Sequence, residues 1–250
     1  MAKEGKYLYC IIRSDEDRNF GPIGIGQRGD VVSTIEFNSI SAVISNTPMT
    51  QYVINRENMT AHERVIEEVM KDYTVLPVRF CTIAASAEEV RTLLRRRCTE
   101  FKGLLRDMDN KVEMGLKALW KNMSQIFNEI VEENSEIKRL KKNAEDKSRN
   151  SNNIHKINLG RAVKSALETK KAFEARKILK ALKPLIFDMK TNDSYGDSMF
   201  LNAAFLIDRT REKELDLLIG DRIEEERERV TFRYVGPAPP FNFVTIEVKW

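Results

Sequence analysis

Histidine and cysteine are scarce in this chain: its 250 residues include two histidines, His62 and His155, and three cysteines, Cys10, Cys81 and Cys98. An odd number of cysteines without CxxC spacing argues against a disulfide framework and a structural zinc site, and it fits a reducing cytoplasm. No ligand set for a metal stands out, and no cofactor is expected. Long apolar runs are also missing. The stretch Ala203–Ile207 falls far short of the roughly 20 residues needed to cross a bilayer, so no membrane span is expected. Residues Met1–Lys6 lack the apolar core and small-residue cleavage site of a signal peptide, and export is not expected. The glycines are few, and the one cluster, Gly21, Gly24 and Gly26, has the order G-x-x-G-x-G and leads into a strand. A phosphate loop needs its glycines to open a helix, so a nucleotide site is not expected either.

What is present is a hydrophobic content of 42% with 8% aromatics, enough for two globular cores. The net charge of +4 conceals an asymmetry. Between Lys121 and Lys183 there are 16 basic and 8 acidic residues, a local surplus of +8, and screening over roughly 10 Å makes such a local excess count. That segment could favour an acidic partner, and nucleic acid is the alternative function it raises. Aromatics are not interleaved with its charges as on a stacking platform, so a solvated helix face is the preferred reading.

Lys6–Ile12 reads as a buried strand, and Val31–Phe37 and Ile40–Ser45 as a hairpin across Asn38 and Ser39. Thr60 to Glu63 has the form of a capping box opening a helix with Val65, Ile66, Val69 and Met70 inward. Thr74–Phe80 reads as another strand, with Pro77 implying an edge or bulge. A second capping box, Ser86 to Glu89, opens one helix whose apolar stripe runs from Val90 to Met108. This is the pattern of a sheet with helices on one face, in the spirit of a ferredoxin-like domain over residues 1–110.

A second α+β domain is expected over 111–250. Lys111–Trp120 is its first strand, followed by a long helical hairpin with a mobile polar tip near 147–153. Ser198–Ile207 reads as a central buried strand and Arg209–Arg229 as an amphipathic helix. Two half-buried strands close the pattern, one with Val230, Phe232 and Tyr234 inward and one with Val244, Ile246 and Val248 inward. The fold class is α+β.

His62, beside Glu63, has the chemistry of a general base, yet no Ser or Cys sits in a nucleophile elbow, and local packing is the preferred reading. Cys81, at a strand end, is the best thiol candidate; a small residue filling a corner is the plainer account. No catalytic residue is assigned.

Seven segments, Tyr7–Tyr9, Ile40–Ser45, Ala61–Glu63, Val75–Phe80, Lys111–Lys117, Ala203–Arg209 and Gly236–Phe243, together resemble the gas vesicle protein F/L family in the right order across nearly the whole chain. The resemblance implies a non-enzymatic, cytoplasmic, gas vesicle-associated protein that acts in assembly or as a minor shell-associated component. Its implied partners are the apolar shell protein and other vesicle accessory proteins. Two departures stand out: the family usually has glycine where this chain has Cys81, and a Trp-Pro-Pro-Tyr core where it has Ala238–Phe241. Candidate contact residues are Pro77, Arg79 and Phe80 at the edge strand and Pro239, Pro240, Phe241 and Phe243 in the last turn; closing their own cores is the plainer role for both groups.

Overall fold

A computed structural model describes residues 4–145 and 152–250. The chain parts into two compact units. One holds residues up to Glu113 with Leu206–Thr210 and Gly236–Trp250, and the other holds Met114–Phe205 and Arg211–Val235. The sequence suggests a single division between 110 and 111. The structure returns residues 236–250 to the first unit because Val244 and Ile246 are core residues there.

In the first unit, β1 (Glu4–Ile12), β2 (Asn19–Gly21), β3 (Val32–Phe37) and β4 (Ile40–Pro48) precede helix α1 (Arg56–Met70). Strands β5 (Val75–Pro77) and β6 (Ile83–Ala84) and helices α2 (Ala87–Arg96) and α3 (Cys98–Asp107) follow. The sheet order is β2-β3-β4-β1-β5, with β6 also on β1, and its pairings are antiparallel. A ferredoxin-like order asks for a helix between the first strand and the hairpin; that connection here carries β2 instead. The β3–β4 hairpin turns at Asn38 and Ser39, whose φ values of 48° and 64° give the left-handed pair that a two-residue hairpin loop needs.

Strand β1 is central, and Tyr7–Ile12 is buried without interruption, as a strand covered on both faces must be. A bulge between Leu8 and Cys10 sends both Tyr9 and Cys10 to the side of Tyr7. That side packs on α1 through Val65, Ile66, Val69 and Met70. Leu8 and Ile11 face the other way, onto Val90, Leu93 and Leu94 of α2 and Phe101 and Leu105 of α3. The sheet is therefore clad on both faces, where the sequence pattern suggested one.

Two local expectations shift. Helix α1 starts at Asn55, whose side chain accepts from Asn58 N at 2.8 Å, so the orphan amides are capped one turn before Thr60. The helix expected from Ser86 onward is capped as predicted, Ser86 Oγ accepting from Glu89 N at 3.2 Å, but it breaks at Arg97 (φ −109°, ψ 16°) into α2 and α3.

The second unit contains β7 (Lys111–Trp120), α4 (Met123–Glu133), α5 (Ser135–Glu145), α6 (Asn152–Leu182), β8 (Asp188–Thr191), β9 (Met199–Asp208), α7 (Glu212–Glu225) and β10 (Val230–Ala238). Three of these strands have ends assigned to the first unit. The sheet order is β10-β7-β9-β8, which makes the continuously apolar β9 an interior strand, as its lack of alternation predicts. The polar tip expected near 147–153 falls largely on residues outside the described ones. No regular strand forms around Val244–Val248; Ile246 makes one isolated bridge. Among the described residues no helix is long and apolar enough to cross a membrane.

Candidate partner-binding surface

Proline lacks an N–H, so Pro77 can end β5 but cannot continue a ladder. Its carbonyl is used: Ile246 N donates to Pro77 O at 2.8 Å, and Arg79 N donates to Ile246 O at 3.0 Å. These two bonds form a parallel bridge around Val78, and they close the edge that the sequence left open. Pro77 is buried, and Val244 and Ile246 join the core shared by Leu8 and Leu76. Phe80 and Phe241 pack instead on the opposite core, that of Tyr7 and Val65. The segment 239–246 thus wraps the β5 edge from one face of the sheet to the other.

Its turn is tightly held. Phe241 N donates to Pro239 O at 2.7 Å and Val244 N to Pro240 O at 2.9 Å. The buried Glu113 carboxylate accepts from Asn242 N at 2.7 Å and from its side-chain amide at 2.5 Å. Pro239 and Pro240 are buried, while Phe80, Phe241 and Phe243 keep partly exposed edges. Arg79 is the exposed member of the set and pairs with Glu247 at 3.1 Å, an open contact that contributes little stability. Arg97 adds a clamp, donating from Nη1 to Glu247 O at 2.9 Å while its guanidinium holds Glu100.

Beneath this surface lie the two chemically suggestive residues. The His62 ring nitrogen Nδ1 is 3.1 Å from the Tyr7 hydroxyl, and the imidazole also bonds the Val78 backbone. Burial lowers the His62 pKa to about 4, so the ring is neutral at physiological pH. It stacks on Tyr9 at 5.7 Å and meets Phe80 edge-on at 5.7 Å. Cys81 has φ of 63°, the left-handed region in which glycine is least strained. Its amide donates to the Tyr7 hydroxyl at 2.9 Å, and its Sγ accepts from Tyr52 N at 3.2 Å. These polar groups are committed to internal bonds that fix the 79–82 corner, the plainer reading for both residues.

The basic segment of the second unit is partly neutralised by its own structure. Lys170 holds Glu129 at 3.2 Å and Glu133 at 2.9 Å, and Arg229 forks onto Glu129. The Arg229 guanidinium, with Lys170, holds the Glu129 carboxyl down to about 2. These residues line a cleft of about 740 Å³ between α4, α5 and α6. Lys171 is buried, bonds Gly196 O at 3.1 Å and lies 3.4 Å from Glu168. Lys170 and Lys171 are thereby occupied by carboxylates and a carbonyl and are not open to phosphates.

The sequence reading missed a second cleft, of about 770 Å³, between the last turns of α6 and the edge strand β8. Phe187 is 69% exposed and Met189 40% exposed at its mouth. The signal was present as two apolar residues at an i, i+2 spacing, Phe187 just before the edge strand and Met189 within it.

The fold defines a two-unit α+β protein. The family model described as "Gas vesicle synthesis protein GvpL/GvpF" matches residues 5–245, and the chain belongs to that family. It is similar to gas vesicle protein F1 of Halobacterium salinarum, 25% identical over 248 residues that cover 98% of this chain and 95% of that protein. It is likewise similar to gas vesicle protein F of a Streptomyces species, 27% identical over 95% of this chain and 98% of that protein. The crystal structure of GvpF from Anabaena sp. PCC7120 has the same fold, with a TM-score of 0.84 at 22% identity over 98% of this chain and 100% of that one. The protein has a gas vesicle-related role.

Proposed function

We propose that this chain is a non-enzymatic, cytoplasmic accessory protein of the gas vesicle, acting in assembly or as a minor shell-associated component by holding the apolar shell protein. The family match over residues 5–245 carries this reading. A strongly apolar shell subunit must be kept from aggregating before it joins a growing wall, and partly exposed aromatic edges on a fixed scaffold suit that task. We assign the contact to the Arg79, Phe80, Phe241 and Phe243 surface, with Pro77, Pro239 and Pro240 as the buried support that fixes its shape. Other vesicle accessory proteins are the further partners this role implies.

The test uses a cell that carries a complete vesicle gene cluster without a redundant paralogue. Deleting this gene is expected to abolish buoyant vesicles, the wild-type copy to restore them, and the tagged protein to retain the shell protein on purification. The double variant Arg79→Glu with Phe80→Ala is expected to fold yet retain less shell protein. Normal vesicles in the deletion strain would sink the proposal.

A further inference from the structure

Helix α6 carries two different faces. Leu167, Ile178 and Leu182 are buried in its own unit. Ala172, Ala175 and Leu179, at positions i, i+3 and i+7, instead line the cleft towards β8, with Ile186, Phe187 and Met189 opposite. Beside this apolar stripe stand Arg176 and Lys180, one turn apart, and Lys183 follows in the 3-10 turn directly after the helix. One acid, Asp188, faces these three cations across the cleft, and its carboxylate already accepts from Met189 N at 2.8 Å. Lys170, Lys171 and Lys177 of the same helix are in ion pairs. Among the described residues, Arg176, Lys180 and Lys183 are in none.

We propose that this cleft docks an amphipathic helix of a partner protein, one whose apolar stripe is flanked by a row of carboxylates. This goes beyond the shell contact assigned to Arg79 and Phe80, and it does not depend on it. Three features select this occupant. The charge is complementary, because unpaired cations beside an apolar floor match a row of carboxylates on a facing helix. The shape suits a helix, because alanines at 172 and 175 let a second axis approach to the roughly 8–10 Å of close helix packing. The length is right, because Ala172 to Lys183 spans about three turns, roughly 17 Å, the reach of a short recognition helix laid in a groove.

The experiment uses the full chain and a labelled, side-chain-stapled helical peptide of roughly 14 residues, about four turns, with a leucine stripe flanked by glutamates. Fluorescence polarisation is expected to show saturable binding that weakens as salt rises. The triple variant R176E/K180E/K183E is expected to bind about tenfold or more weakly, as three half-exposed pairs turn from attraction to repulsion. A lysine-flanked version of the peptide should bind that variant and not the wild type, which also shows that the variant is folded. Ala175→Trp, which fills the floor, should exclude the glutamate-flanked peptide. The proposal fails if no saturable binding occurs below about 1 mM, or if the variants bind like the wild type. It fails equally if an extended alternating peptide that adds to β8 binds better than the helix. Self-association abolished by the same substitutions would also overturn it, by making a second copy of this chain the occupant.

Discussion

The Tyr7 hydroxyl stands 3.1 Å from Nδ1 of His62 and accepts the Cys81 amide at 2.9 Å, so one phenol on the central strand ties helix α1 to the 79–82 corner. A neutral imidazole whose proton goes to the Val78 carbonyl leaves Nδ1 to accept from Tyr7, and the three groups then form one directed chain. Tyr7→Phe removes both bonds and keeps the ring. It is expected to lower stability by about 1–3 kcal/mol, the cost of a buried amide and a ring nitrogen left unsatisfied. Urea denaturation of the two proteins reads this directly.

Burial of His62 also sets a pH dependence. The folded pKa of about 4 lies below the usual 6.5, so between these values the unfolded chain takes a proton that the folded one refuses. The His62 contribution to stability is therefore full above pH 6.5, falls as the pH drops towards 4, and levels off below that. The step is expected to be about 3 kcal/mol. His62→Asn should flatten it while leaving the more acidic titration of Glu129 in place, and denaturation curves across this pH range are the check.

Cys81 separates two effects of one substitution. Both Cys81→Ala and Cys81→Gly lose the sulfur that accepts from Tyr52 N. Only glycine escapes the cost of a φ of 63°. The glycine variant is expected to be more stable than the alanine variant by about 1 kcal/mol, visible as a higher melting temperature. Equal melting temperatures would mean that the corner relaxes to an ordinary backbone.

The 239–247 wrap offers a contrast between burial and charge. Ile246→Ala deletes buried methyl groups beside Val78 and is expected to cost about 2–4 kcal/mol. Arg79→Ala removes an exposed ion pair and is expected to cost under about 1 kcal/mol. Calorimetry of the two variants distinguishes them.

Elements governed by local chemistry were legible in the sequence. The Asn38–Ser39 turn, the Ser86 cap, the continuously apolar β9 and the strand Lys111–Trp120 could all be read from residue type and spacing. Elements governed by distant partners were not. Val244, Ile246 and Val248 alternate like a strand, yet the only ladder position Ile246 takes is beside Val78, a pairing that no local pattern encodes. Arg97 looks like one more helical residue until the Glu247 carbonyl that it holds is known. The two segments that the sequence marked as candidate contacts lie side by side in the structure. Their prolines turned out to be buried because the two segments close on each other. The α6 cleft escaped because Ala172 and Ala175 are too small to register as an apolar stripe.

The wrap has a consequence for the newborn chain. Synthesis proceeds from the N-terminus, and the sheet of the first unit is complete in sequence long before Val244 and Ile246 leave the ribosome. At typical rates that interval is on the order of ten seconds, during which the Val75–Pro77 edge lies bare beside an unsealed core. A chaperone or an early binding partner that recognises strand edges has that window, and once Ile246 bonds Pro77 the opportunity is gone.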